Sequence, residues 1–568
     1  MEIFTRKTRQ FVNDDFVLKN WQDIESYYTE LSNRALHNTD DILAWLSDRS
    51  ETDSIIDEEY RWRYIRQTCD TENEQYKHEY EDFIQHVMPN WMLLTNDLNK
   101  KLANNPHTEQ LDKDRFFIYL RGLKKQIEIF REENIPLTQQ IQLLSQEYGA
   151  TIGAMTIEHN GQEYTMPQAS VLLQNQDRKL RKDIFDKIAG RRLKDKQKLN
   201  DLFDELLKLR HQMALNAGYA NFRDYMFDAL GRFDYGVKES EQFHQAVLEE
   251  VTPMLNSFYD ERKQALDISS LQPYDLEVDI HNEAPLKPFA TEKELIQKSV
   301  QCLHETDAYF AECIEVMNNM KHLDLESRKG KAPGGYNMTL PELGVPFIFM
   351  NAAGTQSDVE TIVHEAGHAV HSFLTRDLPY NFDQEITSEN AELASMSMEL
   401  MSFDGLSYFY DEHNKKRAIR NHLKRIIGIM PWIALVDKFQ HWIYLHPGQT
   451  AEERESKWQE MHGQFYGNVL DWKDYDELQK IFWHKQLHIF EVPFYYIEYG
   501  IAQLGAIGVW RNYKQDKQKA IQQYKEALAL GYTKTLPEIY RTAGVAFHFD
   551  RAYVKELMQF IMDEISKV

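Results

Sequence analysis

The sequence contains little cysteine and no long apolar run. Its three cysteines, Cys69, Cys302 and Cys313, form no C-x-x-C pair, so neither a disulfide framework nor a redox motif is expected. No stretch of eighteen consecutive apolar residues occurs, which argues against a membrane-spanning helix. The first residues also lack the continuous apolar segment of a secretory signal peptide. These absences predict a cytoplasmic protein without a membrane partner.

Positive charge is scarce relative to negative charge. The 568 residues include 65 Lys and Arg against 90 Asp and Glu, for a formal net charge of −25. An acidic surface repels both the phosphates of nucleic acids and anionic lipids. The composition therefore argues against nucleic acid as a partner, and it carries no signal for the oligomeric state.

Apolar residues recur at three- and four-residue steps through most of the chain, which predicts a mainly α-helical protein. Near residues 155–166 the pattern alternates around Asn160-Gly161 instead and predicts a β-hairpin. We divide the chain into an N-terminal helical region, 1–205, and a catalytic region, 206–568. The short apolar run Val345–Met350 predicts a strand, either a sheet edge that an extended peptide could join or a buried support.

The most informative segment is VETIVHEAGHAVHSF, residues 359–373, which contains His364, Glu365 and His368 in the order H-E-x-x-H. In a helix, residues i and i+4 share a face, so both imidazoles could bind one metal ion. Glu365 would then reach a water on that metal, as the general base does in zinc hydrolases. The alternative is a helix whose two histidines serve packing alone.

The flanks of this segment support a helix. Ser357 and Glu360 fit a capping box, which satisfies free N–H groups at a helix start. Gly367 costs a helix about 1 kcal/mol relative to Ala. We therefore expect another backbone to approach Gly367 closely.

A second, acidic helix is predicted from Thr387 to Phe403. Glu392 is the expected third ligand, because two His and one Glu leave one position of a tetrahedral zinc open. Glu399, seven residues later on the same face, is expected to hydrogen-bond a ligand His. Glu385 and Glu389 are alternative ligands, less favoured because Glu392 lies in the better helical pattern.

The segment 483–510 is rich in aromatic residues. A hydrolase needs hydrogen-bond donors aimed at the oxyanion that develops on the attacked carbonyl. The candidate donors are His488, Tyr495, Tyr496 and Tyr499. Taken alone, this segment is typical of core packing, whereas beside a zinc helix a catalytic role is favoured.

Four motifs, GKAPGGYN, PFIFMNAAGTQSDVETIVHEAGHAVHSF, AELASMSMEL and HIFEVPFYYIEYGIAQLGA, resemble those of the M3 metallopeptidases. The resemblance is greatest to the oligoendopeptidase F and Pz-peptidase branch. It implies an elongated multi-helix fold with a deep substrate channel between two halves and a small β-sheet near the zinc helix. The region 1–205 would form one wall of that channel.

The resemblance also implies roles for individual residues. It implies one zinc ion held by His364, His368 and Glu392, with Glu365 as the base. His488, Tyr496 and Tyr499 would face the substrate carbonyl, and whether Tyr495 or Tyr496 lies closer stays open. The loop Gly334, Gly335, Tyr336 would contact the substrate. We expect the peptide to add as a strand along Phe347–Ala353. We also expect Ala352, Ala353, Gly354 and Tyr495 to contact it.

The resulting hypothesis is a zinc-dependent endopeptidase that hydrolyses internal bonds of short peptides, with Glu365 assisting the attack of a zinc-bound water. One alternative is a zinc carboxypeptidase on a similar helical scaffold, which would release single C-terminal residues. Another is a non-catalytic helical peptide-binding protein, which retention of the ligands and the base argues against.

Overall fold

The computed structural model describes residues 5–332, 334–467 and 469–568. Within these ranges the chain is mainly α-helical with two small sheets, as predicted. The N-terminal elements are α1 Trp21–Asn33, α2 Thr39–Cys69, α3 Glu74–His86, α4 Met88–Ala103, α5 Lys113–Ile129, α6 Asn134–Gly153, β1 Thr156–His159, β2 Gln162–Thr165 and α7 Met166–Leu172.

The strands β1 and β2 form the predicted hairpin. They pair antiparallel, from Thr156 opposite Thr165 to His159 opposite Gln162. The turn residues Asn160 and Gly161 have φ angles of 53° and 75°. A type I′ turn requires this left-handed pair, which Asn-Gly adopts at little cost.

Two large hydrophobic cores hold the helices together, and a smaller cluster of Ile65, Leu340, Phe347 and Phe349 packs α2 against the sheet near the site. One core joins buried residues between Val12 and Leu123, and the larger one joins residues between Tyr148 and Ile561. The helices between the hairpin and the second sheet that contribute to the larger core include α8 Arg178–Lys194, α9 Lys196–Asn216, α10 Phe222–Ala229, α11 Val237–Ala246, α12 Thr252–Ala265, α13 Glu292–Thr306 and α14 Ala308–Asn319. No helix in the described ranges is both long and apolar enough to cross a membrane.

A three-stranded sheet of β3 Leu323–Glu326, β4 Tyr336–Met338 and β5 Phe347–Ala352 precedes the site. The strand predicted at Val345–Met350 is confirmed as β5, which is the central strand, parallel to β3 and antiparallel to β4. Ile348 and Phe349 pair with neighbours on both sides. The expectation that a peptide adds along Phe347–Ala353 is therefore wrong, since the outer strands are β3 and β4.

The H-E-x-x-H segment forms helix α15, Gln356–Thr375. Thr355 is its N-cap: the Thr355 hydroxyl accepts from the Asp358 N–H, and the Asp358 carboxylate accepts from the Thr355 N–H. The capping box predicted from Ser357 and Glu360 is thus wrong by two residues. Glu360 instead forms an ion pair with Arg425, far along the chain.

The predicted acidic helix is confirmed as α16, Ser388–Met401, and it packs against α15. This packing depends on Gly367, because a Cβ there would lie 2.6 Å from Ser395 Cα and 2.7 Å from the Ala394 carbonyl oxygen. The expected close backbone is therefore that of α16. The chain ends with α17 Glu412–Leu445, α18 Ala451–Tyr466, α19 Asp476–Lys480, α20 Leu487–Glu491, α21 Ile497–Gln515, α22 Lys517–Leu528, α23 Leu536–Thr542 and α24 Arg551–Ile565.

Candidate active site

His364, His368 and Glu392 converge where α15 meets α16. The Nε2 atoms of His364 and His368 lie 3.3 Å and 3.8 Å from Oε2 of Glu392. One ligand atom from each residue lies within 4.8 Å of the others. Of the alternative ligands, Glu389 accepts a hydrogen bond from Tyr235 instead, and Glu385 does not join this group in the described part of the chain.

The separations in this group fit a zinc ion. Bonds of about 2.0–2.2 Å to a tetrahedral zinc put neighbouring ligand atoms about 3.3 Å apart. A charge-assisted hydrogen bond would bring them to about 2.8 Å. The donor set of two imidazole nitrogens and one carboxylate oxygen is also that of catalytic zinc sites, which keep a fourth position open.

A second group, His244, Asp437 and His441, also has ligand-like residues within 4.8 Å of one another. It differs from the first, because Nε2 of His244 lies 2.7 Å from Oδ2 of Asp437. That distance is typical of a direct hydrogen bond. Nε2 of His441 lies 3.2 Å from the same oxygen, and we interpret this buried group as a structural cluster held by the His244–Asp437 hydrogen bond.

Hydrogen bonds orient the three ligands of the first group. Nδ1 of His364 donates to Oε1 of Glu399 at 2.6 Å, which leaves Nε2 facing the other ligands. Ser395 donates to Oε2 of Glu392 at 2.9 Å. Burial alone would raise the pKa of the Glu392 carboxyl, but hydrogen bonding and charge attraction from His364 lower it to about 2. Glu392 is thus held as a carboxylate, the form that binds metal.

His422 on α17 extends this network away from the site. Its Nε2 lies 3.2 Å from Oε2 of Glu399, and its Nδ1 lies 3.3 Å from Oε1 of Glu360. Sequence reasoning missed His422, because no motif surrounds it and its partners lie on two other helices.

Glu365 lies on the wall of the adjoining cavity. Its side chain is buried, and its Oε2 has no hydrogen-bond partner among the described residues. Burial raises the pKa of Glu365 to about 7, although the charge of His364 opposes the shift. A carboxyl group with that pKa is suited to accept and return a proton near neutral pH.

The aromatic segment brings His488 and three tyrosines together beside the ligands. The His488 ring centroid lies 4.7 Å from that of Tyr496, 5.8 Å from Tyr495 and 5.9 Å from Tyr499. Tyr495 donates to Oε1 of Glu392 at 3.4 Å, so of the two adjacent tyrosines it has the contact with a ligand. Burial raises the pKa of all three hydroxyls, which keeps them protonated as donors.

These groups adjoin a cavity of about 870 Å³. The sequence-predicted residues on its wall are His364, Glu365, His368, Glu392, Gly335, Tyr336, Tyr495 and Tyr499. The described residues on that wall do not include Gly334, Ala352, Ala353, Gly354, His488 or Tyr496. Ala353 instead donates its N–H to Asp358 at 2.9 Å, so it belongs to the start of α15.

The sequence matches known families over most of its length. A sequence profile of Peptidase family M3 matches residues 171–559, and one of the Peptidase M3 N-terminal domain matches residues 11–130. The Oligoendopeptidase F homolog of Borreliella burgdorferi is 24% identical over 445 residues, which are 74% of this chain and 72% of that protein. The chromosomal Oligoendopeptidase F of Lactococcus lactis subsp. cremoris is 26% identical over 300 residues, 52% of this chain and 48% of that protein.

A solved structure agrees with these matches. Pz peptidase A in complex with an inhibitor is 25% identical and superposes with a TM-score of 0.90, over 97% of this chain and 98% of that one. The endopeptidase hypothesis is thereby favoured over the carboxypeptidase and peptide-binding alternatives. The chain belongs to peptidase family M3 and is an oligoendopeptidase F-like metalloendopeptidase.

Proposed function

We propose that this chain hydrolyses internal bonds of short peptides with one zinc ion held by His364, His368 and Glu392. The observation that carries the proposal is the convergence of these three ligands beside Glu365, whose Oε2 has no partner among the described residues and which lies on the cavity wall. When bound, zinc supplies Lewis acidity, which lowers the pKa of water to about 7 and polarises a carbonyl.

Glu365 moves the protons of the reaction. Its carboxylate accepts a proton from the attacking water and later returns that proton to the leaving amide nitrogen. Its pKa of about 7 suits both steps near neutral pH. The side-chain amide of Asn337 donates to the Glu365 carbonyl oxygen at 3.2 Å, which helps to hold this part of α15 against β4.

The tyrosines and His488 stabilise negative charge on the attacked carbonyl oxygen. Tyr495 and Tyr499 are the donors on the cavity wall. His488 contacts both of these rings, and Tyr496 contacts the ring of Tyr499. Removing one such donor costs about 10²–10³-fold in kcat in enzymes where it has been measured.

The substrate occupies the cavity between the two parts of the chain. Arg61, Gly122 and Gln126, from the region 1–205, form one wall, and residues of the region 206–568 form the rest. Gly335 and Tyr336 lie at the outer strand β4, to which an extended peptide can add through backbone hydrogen bonds. We expect this recessed cavity to admit short peptides and to exclude folded proteins.

We further propose that the protein acts in the cytoplasm. All three cysteines are free thiols, and Cys302 and Cys313 are buried. Thiols without disulfide partners suit a reducing compartment. Cell fractionation with an antibody against the chain tests this location, and recovery outside the cytoplasmic fraction would contradict it.

The activity is tested by mass spectrometry of products from a peptide pool. Each peptide is supplied with a free and with an amidated C-terminus, before and after zinc chelation. We expect internal cleavage of both forms, loss of cleavage with chelator, and recovery with added zinc. Release of single residues from free C-termini alone would support a carboxypeptidase, and binding without cleavage would support a peptide-binding protein.

A further inference from the structure

A chain of two hydrogen bonds leads from Trp432 to His488. The indole nitrogen of Trp432 donates to Oε1 of Gln486 at 2.7 Å, and Nε2 of Gln486 lies 2.7 Å from Nδ1 of His488. An indole N–H is a donor and never an acceptor. Trp432 therefore fixes the orientation of the Gln486 amide, with its oxygen toward the indole and its NH₂ group toward His488.

The amide orientation in turn fixes the proton on the imidazole. The nitrogen of a side-chain amide only donates, so Nδ1 of His488 must accept through its lone pair. A proton on Nδ1 would set two N–H groups against each other at hydrogen-bond distance. A neutral imidazole carries one proton, and that proton must then lie on Nε2.

The surroundings keep this arrangement in place. Trp432 and Gln486 are both buried, so bulk water cannot replace either hydrogen bond. Burial also lowers the pKa of His488 to about 4, and the ring is neutral near pH 7. No described residue forms a hydrogen bond with Nε2 of His488, so this N–H is available to another acceptor.

We propose that Trp432 and Gln486 are positioning residues that lock His488 in its Nε2–H tautomer. His488 then acts as a neutral hydrogen-bond donor to the substrate carbonyl and does not shuttle protons. The inference rests on the donor role given to His488 under the proposed function. Trp432 and Gln486 lie outside the catalytic motifs, and their hydrogen bonds place the imidazole proton of His488 on Nε2.

The tautomer is measured directly by neutron diffraction from the wild-type protein, which needs neither turnover nor a variant. We expect deuterium on Nε2 of His488 and none on Nδ1. Deuterium on Nδ1 would overturn the inference even if the protein is an active peptidase. A wild-type protein that cleaves no peptide but carries Nε2–D would instead contradict the proposed function.

The role of Gln486 in fixing the His488 tautomer is tested with Gln486→Glu. This substitution keeps the shape of the side chain and replaces the amide donor with a carboxylate acceptor. A carboxylate beside Nδ1 draws the proton to Nδ1 and raises the pKa of His488. At neutral pH we expect kcat to fall by about 10²–10³-fold with little change in KM. As the pH falls and the ring becomes doubly protonated, Nε2–H returns, so the variant-to-wild-type ratio of kcat should rise. A kcat ratio independent of pH, or an unchanged kcat in Gln486→Glu, would overturn the proposal that Gln486 fixes the tautomer of His488.

The chain offers a matched control and a second variant. Nε2 of Gln479 lies 3.1 Å from Nδ1 of His462, a similar Gln–His pair that does not line the cavity, so Gln479→Glu should leave kcat and its pH dependence unchanged. Trp432→Phe frees the Gln486 amide to rotate and should give both tautomers of His488. If Gln486→Glu fails to fold, a single Nε2–H tautomer in Trp432→Phe would overturn the role of Trp432.

Discussion

Replacing Glu365 with Gln separates metal binding from catalysis. The substitution keeps the size of the side chain and leaves the ligands His364, His368 and Glu392 unchanged. It removes the only group assigned to proton transfer, which contributes about 10²–10⁴-fold to rates in enzymes of this type. We therefore expect kcat to fall by at least that factor, or about 3–5 kcal/mol in transition-state stabilisation, at unchanged zinc content.

The same substitution has a pH-dependent effect on the zinc-free protein. The pKa of Glu365 rises from 4.5 to about 7 on folding, so the folded state disfavours the charged carboxylate. This penalty is absent below about pH 4.5, grows with pH and is complete above about pH 7, where a shift of this size corresponds to about 3 kcal/mol. Because Gln has no charge, the Tm difference between the variant and the zinc-free wild type should increase as the pH rises.

Two assays decide the outcome. Cleavage of an internally quenched peptide gives kcat, and metal analysis of the purified protein gives zinc content. The exposed Glu25 on α1 provides a control, since Glu25→Gln should change neither. A Glu365→Gln variant that holds zinc and cleaves at the wild-type rate would refute the assignment of Glu365 as the base.

Three further predictions concern the surroundings of the ligands. Glu399→Gln weakens the hydrogen bond that orients His364 and should lower zinc affinity about 10–100-fold in a chelator competition. Gly367→Ala places a methyl group against Ser395 and should cost about 1–3 kcal/mol in the free energy of unfolding, measured with denaturant. Tyr499→Phe removes a cavity-wall donor and should lower kcat by about 10²–10³-fold without a matching change in KM.

The predictions for Gly367 and Tyr499 each have a control variant. Gly463→Ala lies in helix α18, where a Cβ would meet nothing within 4 Å, and it should not destabilise the protein. Tyr408 is exposed, so Tyr408→Phe should leave kcat unchanged. Unaltered zinc affinity in Glu399→Gln, unaltered stability in Gly367→Ala, or an effect of Tyr499→Phe on KM alone would each contradict the role given to that residue.

The metal ligands could be predicted from sequence because their geometry is local. His364 and His368 lie one turn apart on a single helix, and Glu392 lies on the next helix of the chain. The small size of Gly367 likewise signalled the close packing of those two helices. Spacing within and between neighbouring helices was sufficient for this part of the site.

The errors arose where distant elements decide the outcome. Glu360 fits a capping box with Ser357 by spacing, but it pairs with Arg425 of α17. The sequence of β5 is compatible with a sheet edge, but in the folded chain β3 and β4 pair with it on both sides. Gln486 has no motif of its own, and its role follows only from contacts with Trp432 and His488 in the folded chain.

The binding of zinc by His364, His368 and Glu392 can be observed by anomalous diffraction at the zinc absorption edge, from crystals of the zinc-loaded protein. We expect one peak about 2.0–2.2 Å from Nε2 of His364, Nε2 of His368 and a carboxylate oxygen of Glu392. An empty map at that position, or a peak among His244, Asp437 and His441 instead, would contradict this expectation.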